Sequence, residues 1–214
     1  MTAPHFEILD KKRKQLLPYF RRFKDRLYLA GGTGLALQLA HRDSIDFDFF
    51  TADDFDSDEL LREVKKVFAG HSIEVIQAGN KTLNLIIDEN VRASFFCVKD
   101  KLIKPAHDYD YLNVADVEDI ACMKIAALPR AEFKDYVDLF YIFKLTTLKK
   151  IIADCGQKYA NFNAMVYLKA LVSFSDINIT GILFRKGKRV RLSEIKKDFE
   201  KRVGEYLNSV RSAE

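Results

Sequence analysis

The sequence predicts an α/β (α+β) fold, a small mixed sheet covered by helices and followed by a helical half. Three observations predict it. Short apolar runs with strand character recur at residues 27–30, 45–50, 73–77, 82–87 and 91–98. Stretches with helical spacing lie between them. Beyond about residue 112 the strand pattern stops and helical spacing takes over. The chain has 214 residues, 48% hydrophobic and 31% charged, which suits one large or two small domains; we place the division at 1–112 and 113–214.

Taken in order, residues 5–26 read as an amphipathic helix, interrupted or restarted near Pro18. Leu27 to Ala30 form a strand entering a tight turn at Gly31-Gly32, and Leu35, Ala36, Leu37, Leu39 and Ala40 favour the helix that follows. The next strand runs through Ile45-Asp46-Phe47-Asp48-Phe49-Phe50. Ser57 or Asp58 is placed to cap a helix reaching Phe68, with Leu60, Leu61, Val64 and Val67 on its buried face. Ile73 to Gln77 is a strand, and residues 82–87 and 91–98 form a hairpin around Asp88-Glu89-Asn90. In the second half Asp116 suits the N-cap of a helix through Leu128. Pro129 starts a second helix to about Leu145, and further helices are expected near 147–158, 161–174 and 192–210. Residues 177–184 read as a short strand or an extended link. The two halves are expected to pack and form a cleft.

The most informative stretch joins the glycine turn to the second strand. Side chains in a strand alternate between faces, so Ile45, Phe47 and Phe49 are expected to face a core while Asp46 and Asp48 project together on the other side. Two adjacent carboxylates repel, and a divalent cation resolves the conflict. Mg²⁺ prefers oxygen ligands and is commonly completed by water and substrate phosphates. Upstream, Gly31, Gly32 and Thr33 open a helix whose free N–H groups and dipole attract anions, and glycine permits close approach of a phosphate. Each half alone has an ordinary reading, an amphipathic edge strand or a capped helix after a turn. Joined by one helix, they describe a place for a nucleoside triphosphate and its metal.

A second constellation lies in the helical half. Asp135 and Asp138 are three residues apart and share a helix face, Lys134 is spaced to pair with Asp138, and Lys124 lies one helix earlier. A lysine with two acids can serve a triphosphate, the lysine on phosphate and one acid as base. A salt-bridge ladder on the surface is the ordinary alternative.

Bulk properties narrow the class. No apolar run approaches the roughly 20 residues that span a bilayer, and the N-terminus lacks a hydrophobic signal core. The three cysteines, Cys97, Cys122 and Cys155, are scattered, which fits reduced thiols in a cytoplasmic protein and neither a disulfide framework nor a zinc site. Net charge is +4 but unevenly spread. Residues 11–26 and 185–202 are rich in Lys and Arg, while positions 43–61 carry only acidic charges. The basic flanks fit either nucleic-acid binding or solvated helix faces.

The run from Gly31 to Phe50 (GGTGLALQLAHRDSIDFDFF) resembles the signature of the AbiEii-type nucleotidyltransferase toxins, within the DNA polymerase β-like nucleotidyltransferase superfamily. The pattern from Lys124 through Arg130, Lys134, Asp135 and Asp138 resembles the helical motif of that family. The likeness covers about residues 25–145. It implies a polymerase β-like domain with a small mixed sheet, a C-terminal helical domain, an NTP substrate and Mg²⁺ (or Mn²⁺). By the same resemblance Asp46 and Asp48 are the metal ligands, Gly31, Gly32 and Thr33 the phosphate turn, and Lys124 the triphosphate contact. Asp135 matches a catalytic carboxylate near the acceptor. Arg42 and Ser44 fit the signature, Arg42 as a phosphate ligand or a helix-end cation. The resemblance also implies a type IV toxin–antitoxin role, an RNA or tRNA acceptor and a cognate antitoxin partner, with no membrane association.

Two departures matter. Many polymerase β-like enzymes carry a third carboxylate on a later strand, and here Ser94 stands where that acid is expected, which leaves Asp135 as the substitute base. Thr33 replaces the common serine. The leading reading is transfer of NMP from an NTP to an acceptor hydroxyl. The alternatives are a catalytically silent nucleotide-binding interaction protein and a nucleotidyltransferase acting on protein or a small molecule.

Overall fold

A computed structural model of the chain describes residues 3–179 and 181–212. It divides into two compact units, Met1–Asp116 and Val117–Glu214. In the first unit α1 spans Lys11–Phe20, β1 Tyr28–Leu29, α2 Gly31–Leu39, β2 Phe47–Thr51 and α3 Ser57–Val67. The strands β3 (Ile73–Gly79), β4 (Thr82–Ile87), β5 (Val91–Cys97), β6 (His107–Tyr109) and β7 (Leu112–Val114) follow.

The strands form one seven-stranded mixed sheet in the order β3-β4-β5-β2-β1-β7-β6. β2 runs parallel to β5 and antiparallel to β1, while β1 runs parallel to β7. Alternation along the strands builds the core. Phe47, Phe49, Leu83, Leu85, Ala93 and Phe95 are buried and share a cluster with Leu16, Leu17 and Phe20 of α1 and Leu60 and Val64 of α3. The Phe20 ring lies 4.9 Å from both Phe47 and Phe49 and 5.2 Å from Phe68. The intervening residues of β2 and β5, Asp48, Phe50, Ser94 and Phe96, occupy the opposite face.

Several expectations shift by a residue or two for local reasons. Pro18 lies inside α1, close to its C-terminus, and the chain then tightens into a 3-10 turn over Arg21–Phe23. Asp56, not Ser57 or Asp58, caps α3, its carboxylate accepting from the N–H groups of Asp58 and Glu59 at 2.9 Å each. Ile45 is 53% exposed and not in the core, because β2 begins only at Phe47 and the residues before it run as a loop. Strands β6 and β7 carry too much polar character in three residues each to show as strands in the sequence. The pairing of β7 with β1, and of β6 with β7, keeps residues 113–116 with the first unit.

The second unit is helical, with α4 (Val117–Ala127), α5 (Phe133–Ile142), α6 (Leu148–Lys158), α7 (Ala164–Leu171) and α8 (Leu192–Arg211). Pro129 sits in a one-turn 3-10 helix over Leu128–Arg130 rather than in the first turn of α5. Tyr136 is buried between Phe174 and Phe199, and its hydroxyl donates to the Ala170 and Ser173 carbonyls. A buried ion pair, Asp119 to Lys158 at 2.7 Å, ties α4 to α6. The segment 177–184 is an extended link with an isolated bridge from Asn178 to Glu132; its residue Thr180 lies outside the described residues. Among the described residues no helix is long and apolar enough to cross a membrane.

Candidate active site

The site in the first unit is built from the backbone outward. β1 is buried at Leu29, and the next amide, Ala30 N–H, donates to the Asp48 carbonyl at 3.0 Å, which locks the start of α2 to the acidic strand. Gly31 then takes φ +61°, a conformation that glycine adopts without strain. There is also no room for a side chain, since a Cβ on Gly31 would lie 2.8 Å from Asp48 Oδ2. A Cβ on Gly32 would lie 2.5 Å from Arg42 Nη2 and 2.9 Å from Ser44 Oγ. The turn is therefore in direct contact with Asp48 on one side and with Arg42 and Ser44 on the other.

The loop from residue 41 to 46 is held at several points. α2 ends at Ala40 in the left-handed conformation (φ 46°), which turns the chain back toward the N-terminus of that helix. Arg42 is buried and donates from Nη1 to the Asp43 carbonyl at 3.0 Å. Thr33 is buried too; its hydroxyl donates to the Asp46 carbonyl and shares a 2.9 Å hydrogen bond with the Ser44 hydroxyl. The Thr33 side chain thus braces the residues that lead into the acidic strand, at a helix N-terminus whose first N–H groups lack intrahelical partners.

Arg13 is a residue whose part the sequence reading missed. Grouped there with the basic flank, it is only 5% exposed. Its Nε donates to the Ile45 carbonyl at 2.6 Å, its Nη2 to the Asn90 carbonyl at 2.9 Å, and it pairs with Asp10. It clasps the residue before Asp46. A signal for this was present, because Arg13 lies on the same helical stripe as Leu16, Leu17 and Phe20. Several of the other flanking cations engage acids nearby. Arg22 and Arg26 meet Glu63, Lys24 meets Asp108, and Arg202 meets Asp198.

Asp48 alternates with the buried Phe47 and Phe49 in β2 and so leaves the core face, and its partner in the predicted pair, Asp46, is the loop residue immediately before that strand. Such a pair fits a Mg²⁺ ion, which needs one or two carboxylates and takes the rest of its shell from water and phosphate. Parallel pairing sets Ser94 opposite Asp48, so no third carboxylate stands at that position.

In the second unit Lys124, Asp135 and Asp138 come together and are buried. Lys124 Nζ lies 2.6 Å from Asp135 Oδ1 and 2.6 Å from Asp138 Oδ2. Arg130 donates from Nη2 to the other Asp135 oxygen at 2.9 Å, its side chain 62% exposed. This is not the surface ladder that the spacing also allowed, nor does Lys134 take Asp138; Lys134 is exposed.

A family model described as nucleotidyl transferase AbiEii toxin, type IV TA system, matches residues 16–211. The chain belongs to the AbiEii family. It is a nucleotidyltransferase. An uncharacterized protein of Aquifex aeolicus is 31% identical to it over 192 residues, covering 85% of this chain and 88% of that one. Among solved structures, JHP933 from Helicobacter pylori is similar at TM-score 0.56 and 16% identity, covering 96% of this chain and 99% of its own. The antibiotic-resistance factor ANT(2″)-Ia is similar at TM-score 0.54 and 11% identity, covering 74% and 97%. At these identities the two likenesses show a shared fold alone.

Proposed function

We propose that this AbiEii protein transfers NMP from an NTP–Mg²⁺ complex to a hydroxyl of RNA, with tRNA as first candidate, and acts as the toxin of a type IV toxin–antitoxin pair with a cognate antitoxin as partner. The observation that supports it most is the contact of the glycine turn with the acidic strand, Gly31 against Asp48 and Gly32 against Arg42 and Ser44. In this reading the phosphate-binding and metal-binding groups form one structure, not two motifs that happen to share a chain.

In this reading Asp46 and Asp48 hold the metal, which when bound neutralises charge on the triphosphate. Gly31, Gly32 and the Thr33 backbone present N–H groups to the β- and γ-phosphates, and Ser44 and Arg42 line the same turn. The acceptor oxygen forms a bond to the α-phosphorus, the bond from that phosphorus to the bridging oxygen breaks, pyrophosphate leaves, and the hydroxyl proton passes to solvent. The chain contributes position and fixed charge, which is most of what phosphoryl transfer asks of a protein. Lys124 and Asp135 take a supporting part. Both are sealed into an ion-paired set, so Asp135 has no surface open to an acceptor, and the outward cation that it orients is Arg130.

Transfer of labelled NTP to total RNA, comparing wild type with the double variant Asp46→Ala/Asp48→Ala, tests the proposal. A loss on the order of 10³-fold is expected. Equal labelling by the two proteins removes the metal-pair mechanism, and label found only on protein or small molecules removes the RNA acceptor. Expression of the toxin with and without its neighbouring gene tests the antitoxin.

A further inference from the structure

The face of the sheet turned from the core carries a row of polar side chains that starts at Asp48. Ser94 of β5 stands opposite Asp48, Asn84 of β4 opposite Ser94, and Gln77 of β3 opposite Asn84. Neighbours in such a row are about 4.8 Å apart. The last step is not a regular one. Val75 pairs with Leu85, so unbroken pairing would set Ile76 against Asn84; a register shift between Val75 and Gln77 sets Gln77 there instead.

That shift has a chemical result. Asn84 Nδ2 donates to Gln77 Oε1 at 3.0 Å, which fixes the orientation of the amide. The other end of the amide, Asn84 Oδ1, is buried with no hydrogen-bond partner. A buried acceptor left in this way is costly and uncommon in native proteins. Along the strands Phe50 and Phe96 stand two residues beyond Asp48 and Ser94, their ring centroids 5.3 Å apart, and wall one flank of the row.

We propose that the Ser94–Asn84 step is a subsite for the vicinal diol of a ribose, an inference that rests on the nucleotidyl-transfer reading above. Asn84 Oδ1 lacks a donor, and Ser94 Oγ can both donate and accept. Two adjacent sugar hydroxyls, each donor and acceptor, match these two neutral groups side by side. Ser94, Asn84 and Gln77 carry no charge, so a polycationic acceptor meets no counter-charge in this row beyond Asp48. A hydroxyl seated here is one strand away from the proposed metal ligand. The diol has two sources with one chemistry, the 3′ end of the acceptor RNA and the ribose of the incoming nucleotide.

The test uses the full chain, wild type, Asn84→Leu and Ser94→Ala. Transfer rates are compared for RNA ending in ribose or 2′-deoxyribose, and for the NTP that wild type uses or its 2′-deoxy counterpart. Wild type is expected to prefer the diol by about tenfold on one arm, the size of one or two hydrogen bonds, and that arm names the source. Both variants are expected to lose the preference to within about twofold, with thermal midpoints close to wild type. Variants that keep the wild-type preference on both arms, or a wild type that shows none, overturn the subsite while leaving the transfer reading in place. A wild type that labels no RNA overturns the RNA acceptor instead. Titration of wild type and Asn84→Leu with AMP and with 2′,3′-dideoxy-AMP then decides the subsite: tighter binding of AMP by wild type alone supports it, and equal binding overturns it.

Discussion

Asp48 and Asp135 both lie in the stretches that resemble the family's motifs, yet the two units treat them in opposite ways. Asp48 is set by backbone: its carbonyl accepts from Ala30, and its carboxylate lies against Gly31 at a place where a Cβ does not fit. Asp135 is set by charge: Lys124 and Arg130 take its two oxygens, and no part of it reaches the surface. The main chain of Asp48 is anchored separately from its carboxylate, whereas Asp135 is anchored through the carboxylate itself, both of whose oxygens are ion-paired. Changes around Asp48 should therefore act on activity, and changes around Asp135 on stability.

The largest effect that can break this contrast is expected at Lys124. Lys124→Met leaves Asp135 and Asp138 buried with one cation lost, a change that costs about 3–5 kcal/mol. Urea denaturation is the measurement, and the triple change with Asp135→Asn and Asp138→Asn should recover most of the loss. A Lys124→Met protein as stable as wild type but inactive would reverse the assignment and make Lys124 a direct ligand. Next in size is Gly31→Ala. The new Cβ meets Asp48 Oδ2, and the backbone is held at a positive φ. Transfer should fall by about 10²-fold, the scale seen when one positioned group of an active site is displaced, while backbone strain costs stability only about 1–2 kcal/mol. Activity within twofold of wild type would show that Asp48 has freedom to move and that the turn does not set it.

Legibility in the sequence follows the same division. The site in the first unit could be read because its parts are local: Gly31 to Asp48 is one turn, one helix and one strand, and strand alternation alone sends Phe47 and Phe49 inward. Strands β4 and β5 could be read because alternating apolar residues flank a turn. Strands β6 and β7 could not, since their three-residue lengths and polar members such as Asp108 and Asn113 leave no alternation to detect. Lys124, Asp135 and Asp138 were legible as a spacing, but their burial was not, because helical spacing says which residues share a face and not what covers it. Asn84 was invisible for a different reason. Its neighbour Gln77 is brought to it by a bulge, and a one-residue shift in pairing leaves no mark in composition.

A smaller effect sharpens the contrast from within the first unit. Arg13 holds the carbonyls of Asn90 and of Ile45, one residue before Asp46, and pairs with Asp10. If Asp46 is placed by main-chain anchors, Arg13→Lys should lower the maximal rate by about tenfold and leave the NTP concentration for half-maximal rate within about threefold, because a lysine cannot reproduce the forked donation to two carbonyls. An equal fall in rate for Arg22→Lys, an exposed cation of the same flank, would mean that the flank acts by charge and not by position.

The smallest effect is expected at Ala40, and it separates strain from function. Ala40 ends α2 at φ 46° and its N–H closes onto the Ala36 carbonyl at 2.9 Å, a helix end at which glycine is the usual residue. Ala40→Gly removes the Cβ penalty at that position and should raise stability by about 1 kcal/mol, read as a higher urea midpoint at unchanged slope. The loop that follows is pinned independently by Thr33, Arg13 and the packing of Arg42 over Gly32, so transfer should stay within about twofold of wild type. A gain in stability accompanied by a clear loss of transfer would show that those anchors do not suffice. The left-handed turn itself would then be holding the acidic strand in register with the glycines.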